Sequence, residues 1–513
     1  MRVKIPFVGG SYAARSRSVD AQETINLYPE NQNPDSKNVA AFIGTPGLRL
    51  FTVVTDSNGQ PIQTPPRGTY ITGQGRVFVV YFATLYEVYP SGLTVIRGSL
   101  STTQGYVYMA ASPFQMLITD ATHGYGFDLT TNTLSPITDA VFPKNPGTVA
   151  YRDGFFVTHA TNTNFVYASD LSSGTPNVFS WPFGNITPKE TDSDPVVGIV
   201  STATYLFVFG KRTTEIWYST GNNGIGAPPF ARAQEMVINV GCEAPSSIIT
   251  NGNDVLWLGS NPAGGNVVWM ANSYQPTRVS THAEEYQIGQ LTKTENAVAY
   301  AYQSEGHFFY VLNFPTDNRT TVYDITTGMW HRRGWWNTDA GQLEMHLALF
   351  AGSFGADVYA FDRRNANIYK FDLDTFTDNG DPIHRIRTFS HTHKDQKDIF
   401  CYGFELDIQK GVGLGNGTIG TSTTTTTSTT TSMGDSNELN DNPQMSLSWS
   451  KDGGNTWSKE HWASMGKTGK LKQRVQWAFG MGKSRDWTFR VASVAAVRHV
   501  YIAAYAELEV EPA

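Results

Sequence analysis

The sequence predicts an all-β protein: a β-propeller of six or seven blades, an extended N-terminal arm and a C-terminal antiparallel β-domain. Two observations carry this. The first is a repeat of one short pattern: an apolar strand, a tight turn, a second apolar or aromatic strand, then a Tyr/Phe-rich strand ending in Asp and Thr. Equivalent apolar strands start near Val77, Met116, Phe155, Tyr205, Val255, Phe308 and Val358, so successive spacings are 39, 39, 50, 50, 53 and 50. A period of about 40–50 residues with several strands per unit is the signature of propeller blades, each of which must stack on neighbours to bury its faces. The second is composition. Of 513 residues, 48 are Gly, 25 are Pro and 13% are aromatic, while only 16% are charged. Many turn residues and aromatics with few charges suit many short strands.

Residues 1–50 show neither period 2 nor period 3.6 for long, and are expected to form an arm that needs another surface to be ordered. Within them, Gly44 to Leu48 (GTPGL) has Pro46-Gly47 at the spacing of a type II turn. Residues 51–395 hold the repeats. Helical periodicity is nearly absent there, and Ala283 to Gln290 is the best short helix candidate. Residues 396–513 form the C-terminal domain. They open on the alternating FCYGFELDIQ and are interrupted at 411–443 by a Gly/Ser/Thr/Asn tract. That tract cannot bury enough apolar surface for a core of its own, so a protruding loop or hairpin is expected.

Net charge is -7, which excludes a generally basic nucleic-acid binder while leaving room for a local basic face. The two cysteines, Cys242 and Cys401, lie too far apart in sequence for a disulfide framework and are expected to be buried thiols. The opening MRVKIPFVGG lacks the apolar stretch of a secretory signal, so export is not expected. No run approaches the roughly 20 apolar residues of a membrane span.

Ser450, Asp452, Gly454, Thr456 and Trp457 fit the Asp-box pattern S-x-D-x-G-x-T-W. Its physics is that of a hairpin turn: the carboxylate accepts backbone N–H groups, Gly takes a positive φ and Trp packs beneath. Asp-boxes are common in sialidases, but a single copy outside the repeats, without an arginine set on the blades, reads as a folding device. Asp372 to Asp381 has carboxylates at a spacing like that of calcium loops, yet Ile383 falls where a bidentate Glu is required, so a turn is the better reading. His391 and His393 share one side of an extended segment with no third ligand nearby. Asn318-Arg319-Thr320 is a glycosylation sequon without consequence in an unexported chain. Trp330, Trp335 and Trp336, with His331, Arg332 and Arg333 among them, suggest cation–π packing at a blade edge or subunit interface. No catalytic residue, metal ligand or cofactor site is assigned.

Charge is uneven. Residues 451–500 carry ten cations, Lys451, Lys459, Lys467, Lys470, Lys472, Arg474, Lys483, Arg485, Arg490 and Arg498, against Asp452, Glu460 and Asp486, a net of 10 - 3 = +7. Lys467, Lys470, Lys472, Arg474, Lys483 and Arg485 are the candidate face for nucleic acid or an acidic partner, the alternative being a solvated face paired with acidic neighbours.

With these landmarks the chain resembles the tail hub or nozzle proteins of short-tailed bacteriophages, the packaged-DNA-stabilisation family. The resemblance rests on INLYPE (Ile25–Glu30) and GTPGL, the propeller-like repeats and TDNGDPIHR (Thr377–Arg385), then on SWSKDGGNTWS (Ser448–Ser458) and KQRVQWAFGMGKSRDWTFRV (Lys472–Val491). The Thr-rich tract departs from the pattern, as an enlargement of a shorter loop. The resemblance implies a non-enzymatic virion protein assembled in the host cytoplasm. It would form a ring, typically a hexamer, below the portal and adaptor. The ring would continue the DNA channel, retain double-stranded DNA without sequence specificity, and dock fibres, spike or needle. The competing reading is a propeller that binds or cleaves glycans; it needs convergent carboxylates and arginines in a blade-top pocket.

Overall fold

The computed structural model describes the chain except residues 8, 32–39, 172–173, 193, 223–226, 261–265, 412–441, 473 and 512–513. It is all-β with one α-helix and two 3-10 turns among the described residues. The chain divides into two compact units: Leu50–Thr320 with Met345–Phe371, and Met1–Arg49 with Thr321–Glu344 and Asp372–Ala513.

The first unit is the propeller. Four-stranded antiparallel sheets follow one another along the chain. They begin with Pro66–Ile71, Val77–Tyr81, Thr84–Val88 and Thr94–Ser99, and the next opens at Tyr108–Ala111. The inner strands are Pro66–Ile71, Tyr108–Ala111, Pro146–Arg152, Val196–Ser201, Ile249–Asn251, Val298–Ser304 and Ala348–Phe354. Ala348–Phe354 touches both Val298–Ser304 and Pro66–Ile71, which closes the ring. The described residues therefore hold seven blades, resolving the choice between six and seven. Each apolar repeat found in the sequence falls on the second strand of a blade, as Val77–Tyr81 and Phe155–Ala160 show. The last blade is completed by Gly47–Val53, which precedes the first blade in the chain.

Blade strands are apolar on both faces because neighbours cover both. Val77, Phe78, Val79, Val80 and Tyr81 are all buried. The cores lie between blades and are set by edge-on aromatic pairs. Examples are Phe78 with Phe127 at 5.4 Å, Phe142 with Trp181 at 4.9 Å and Phe209 with Trp257 at 5.3 Å. The helix is His282–Gly289, one residue earlier at each end than expected; the Thr281 hydroxyl caps it by accepting from the Glu284 amide. Cys242 and Cys401 are free and buried; Cys401 lies on the strand Ile399–Ile408, whereas Cys242 lies in a loop.

The second unit is a β-sandwich. One sheet runs in the order Leu27–Asn31, Ala40–Gly44, Val500–Val510, Ile399–Ile408, Val475–Trp477, with Arg2–Ile5 also paired to Val500–Val510. The other includes Met329–Arg333, Ala21–Ile25, Arg385–Thr388, Asp486–Ser493, Gln444–Ser450 and His461–Ser464. Phe7, Leu27, Phe42, Phe404, Trp477, Trp487 and Phe489 lie in the core between them.

The break expected near residue 50 falls between Arg49 and Leu50, whereas the one expected at 395 falls between Phe371 and Asp372, and residues 1–49 belong with the C-terminal unit. The N-terminal residues do not await an external surface: their strands complete both sheets of the sandwich. Their pattern was unreadable because each strand is short and the sheets they join are built mostly from strands hundreds of residues away, as where Arg2–Ile5 pairs with Val500–Val510 and Ala21–Ile25 with Arg385–Thr388. Gly47 is a second correction. It is not in the positive-φ region but opens a strand. Glycine is needed there because a Cβ would lie 2.4 Å from the Thr375 carbonyl oxygen and 2.5 Å from that of Thr377. The tract 411–443 falls almost wholly outside the described residues. No helix among the described residues is long and apolar enough to cross a membrane.

Candidate functional site

The Asp-box forms the loop of a hairpin whose strands, Gln444–Ser450 and His461–Ser464, pair directly. Asp452 Oδ1 accepts from the amides of Asn455 at 3.0 Å and Thr456 at 2.9 Å, and from the Ser450 hydroxyl at 2.6 Å. Its Oδ2 accepts from the Thr456 hydroxyl at 2.6 Å. These donors, the Ser450 and Thr456 hydroxyls first, hold the carboxyl well below the usual carboxylate range. Gly453 and Gly454 both have positive φ, of 72° and 87°. Arg17 donates to the Gly454 carbonyl at 3.1 Å, and a Cβ on Gly453 would strike Ser18, so the turn seats the loop between the first strands. The Trp457 ring is covered by the Arg490 guanidinium at 4.1 Å. The Asp452 carboxylate and the Ser450 and Thr456 hydroxyls are spent on holding the turn.

The six basic candidates divide into three groups. Lys483 and Arg485 share Asp398, at 2.8 and 3.4 Å. Lys467, Lys470 and Lys472 are exposed on the loop before Val475–Trp477, and no carboxylate lies within ion-pair distance of them among the described residues. Arg474, which ends that loop, stands 4.0 Å from Glu405, a carboxylate that Arg2 approaches at 3.2 Å.

The tryptophan run turns inward. Trp330 is buried and packs on Tyr323 at 5.1 Å, so it offers no face to a partner. Trp335 Nε1 donates to Asp381 at 2.8 Å, and Trp336 stacks on His384 at 3.9 Å. Strand alternation sends Trp330 to the core, a choice that depends on which sheet receives the strand. The Asp372 to Asp381 stretch is a turn: Asp372 pairs with Arg49 at 2.9 Å, and Asn379-Gly380, both at positive φ, joins Thr377–Asp378 to Asp381–Pro382. His391 faces Asp486, while His393 shares no metal-ligand set with it; the described residues hold no group of three or more His, Cys, Asp or Glu able to bind a metal. The Asn318 side chain accepts from the Met345 amide at 3.0 Å and so serves the blade itself.

Sequence reasoning missed a buried polar hub in the sandwich. Asn26, at φ 53°, donates through Nδ2 to the carbonyls of Gly334 and His384, each at 2.9 Å, and accepts from the Gly334 amide at 3.0 Å. Arg387 donates to Thr24 Oγ1 at 2.7 Å, Gln22 Oε1 at 2.6 Å and the Phe7 carbonyl at 3.1 Å, and lies over the Phe42 ring at 4.7 Å. Burial pushes its guanidinium down to about 9. Burial likewise pushes Arg385 down to about 10; it sits against Gly44 and His499. Asn26, Gly44 and Arg385 lie inside INLYPE, GTPGL and TDNGDPIHR, so the motifs themselves were the available signal.

A cavity of about 900 Å³ opens within the propeller. Its lining includes Tyr70, Thr250, Tyr302, Gln303, Phe308 and Ser353, with Glu305 as the one carboxylate and no arginine. A two-carboxylate hydrolytic site of the glycosidase kind is not assembled by that lining.

Comparison with known proteins agrees with this architecture. A family model described as bacteriophage P22 Gp10, β-propeller, matches residues 3–376, and a second, bacteriophage P22 Gp10, β-sandwich, matches residues 385–509. No curated protein matches the chain. Solved structures with some likeness include the extracellular domain of a putative one-component system from B. thetaiotaomicron, at 10% identity and TM-score 0.41. There the match covers 63% of this chain and 40% of that one, so the chain spans less than half of that relative. A chain of the mitotic checkpoint complex matches at 12% identity and TM-score 0.41, over 67% of this chain and 96% of that one. The N-terminal domain of Nup159 matches at 10% identity and TM-score 0.40, over 68% and 98%. Likenesses this distant bear no functional argument. The family models together span nearly the whole sequence, and the chain belongs to the bacteriophage P22 Gp10 family of phage structural proteins.

Proposed function

We propose that this protein is the hub or nozzle of a short phage tail. It forms a closed ring below the portal and adaptor, continues the DNA channel, retains packaged DNA, and offers a docking surface to fibres, spike or needle. It acts as a structural component of the virion and not as an enzyme. The observation that carries this reading is the match of both family models in order along one chain, propeller first and sandwich second. Charge supports it: a chain of net -7 suits a conduit through which DNA slides without sticking, because phosphate contacts bind tightly. The propeller closes on itself and so offers large surfaces to neighbours without open sheet edges.

Mass photometry of the purified protein, with negative-stain images of the same sample, tests the proposal. A particle several times 56.5 kDa with a central hole wide enough for duplex DNA is expected. A chain that stays monomeric both alone and with its adaptor ring would overturn it.

A further inference from the structure

One turn of the sandwich presents lysines that no described carboxylate neutralises. Residues 466–472 read GKTGKLK, three cations with no acidic or aromatic residue among them. The Lys470 amide donates to the Lys467 carbonyl at 2.9 Å, and Gly469 between them sits at φ 80°, the geometry of a type II turn. Such a turn brings the Lys467 and Lys470 Cα atoms within about 7 Å of each other. The loop is seated on the fold. The buried Met465 donates its amide to the Pro443 carbonyl at 2.7 Å, and the Gly466 amide donates to the Ser464 hydroxyl at 3.1 Å. Leu471 is 69% exposed, yet it lies against Gly411, where a Cβ would come within 2.9 Å of its Cδ2. Lys467, Lys470 and Lys472 stand exposed on this framework.

The carboxylates on the adjoining strand are met by other cations. Val475–Trp477, which follows the loop, pairs with Ile399–Ile408. On that strand Glu405 faces Arg2 at 3.2 Å and Arg474 at 4.0 Å, and Asp407 faces Lys410 at 3.5 Å. Lys467, Lys470 and Lys472 therefore keep their full charge at the surface of a chain whose net charge is -7.

We propose that the loop Lys467–Lys472 is where this protein grips double-stranded DNA, through the phosphates and without reading sequence. The inference rests on the channel reading above and names the residues of that contact. Lysine suits the role: it is a flexible, hydrated point charge, and phosphate contacts carry no base information. A protein partner fits less well, because protein interfaces are depleted of lysine and centre on aromatic or arginine anchors. This loop offers no such anchor, and its one large apolar side chain is seated on Gly411. A DNA strand carries a phosphate for roughly every 3.4 Å of helix axis, so lysines this close together meet neighbouring phosphates. With a slope of about 0.9 per contact, three contacts weaken roughly fortyfold between about 50 and 200 mM salt. One copy thus holds DNA loosely, and several copies in a ring hold it by joint engagement. Loose contacts of this kind retain a duplex at rest and still let it slide.

The test is the salt dependence of binding to a labelled duplex of random sequence. Fluorescence anisotropy reads binding by the full chain, and mass photometry reads its assembly state. Wild type should bind at low salt, with log K falling linearly in log salt. Lys467→Gln/Lys470→Gln/Lys472→Gln should reduce that slope by about 2.7 for each engaged copy and weaken binding equally for duplexes of different composition. Lys467→Arg/Lys470→Arg/Lys472→Arg should keep the wild-type slope, since charge is what the phosphates meet, and this variant separates loss of charge from loss of fold. Lys483→Gln/Arg485→Gln should change the slope much less, because both cations already face Asp398. An equal effect there would spread the contact over the whole basic face and overturn its assignment to this loop. An unchanged slope in the triple glutamine variant, or no binding by wild type at low salt, would overturn the inference and leave the ring intact. A triple glutamine variant that no longer assembles would make the loop a contact between copies. One that keeps the wild-type slope but fails to join its adaptor would make it a face for an acidic protein. A wild-type chain that stays monomeric with its adaptor removes the ring reading, and the slope measured on the monomer then decides this contact alone.

Discussion

Asn26 ties three backbone groups of the sandwich together through one side chain. Its side chain satisfies the Gly334 amide and carbonyl and the His384 carbonyl, and its left-handed backbone suits Asn better than other non-glycine residues. Asn26→Ala should cost roughly 2–3 kcal/mol, because buried backbone groups lose their partner and the backbone strain remains. Chemical denaturation followed by tryptophan fluorescence measures it, and an unchanged midpoint would remove Asn26 from this role. Asp452 is the exposed counterpart. Its bonds close a turn in contact with water, so Asp452→Ala should destabilise the sandwich by about 1 kcal/mol, at the low end for lost hydrogen bonds. The same denaturation curves decide, with loss of the turn amides' protection from hydrogen exchange as the local readout.

Pairing between elements sets the pH response. His391 Nδ1 faces Asp486 at 2.8 Å, and its Nε2 donates to the Arg17 carbonyl at 2.9 Å. Both ring nitrogens meet acceptors, so the cation is favoured; the hydrogen bond to Asp486 raises the imidazole above its ordinary value, against the opposing effect of burial. A histidine raised on folding contributes stability that is complete below the unfolded value near 6.5 and is lost as pH rises through the raised value. His384 and His159 act oppositely. Burial pushes each down to about 4, so they withdraw stability as pH falls from about 6.5 toward 4. The thermal midpoint should therefore decline on both sides of mildly acidic pH. His391→Gln should flatten the alkaline decline and leave the acid one; a variant that keeps both limbs would refute the pairing. The segment between Ile399–Ile408 and Gln444–Ser450 makes a different prediction. Thr421–Ser432 is entirely Ser and Thr, with nothing apolar to bury. Its deletion should leave the thermal midpoint within a degree or two of wild type, on the scale of a surface change, and a large loss would show that the tract stabilises the fold.

For the molecule as a whole, the chain ends matter most. Removing residues 1–31 deletes the strands Arg2–Ile5, Ala21–Ile25 and Leu27–Asn31 from the sandwich and takes Thr24, Gln22 and Phe7, which accept from its guanidinium, away from the buried Arg387. An uncompensated buried charge alone costs about 3–5 kcal/mol. Calorimetry should show the sandwich transition abolished or shifted far down, while the propeller, whose described strands begin at Gly47, keeps its own. An intact sandwich transition would mean that the first strands are dispensable.

The propeller was legible because a blade is a local object. Its strands are joined by short hairpins, so Val77–Tyr81 and its six equivalents display their pattern within a few dozen residues, and stacking multiplies one signal. The Asp-box was legible for the same reason: Ser450, Asp452, Gly454 and Thr456 bond to one another across four residues at most. The basic segment was visible as a count, but which lysines face carboxylates was not, since Asp398 reaches Lys483 only through sheet pairing. Trp330 read as an interface aromatic until its strand was given a sheet with an inner face. Sequence by itself determined the repeat, the turn and the family motifs, all short-range or additive. Tertiary structure alone decided that the N-terminal strands complete a C-terminal sandwich and that Arg385 and Arg387 are buried there. Sheets join backbones through hydrogen bonds that leave no mark on the sequence of either strand, so partners hundreds of residues apart can be read only from the fold.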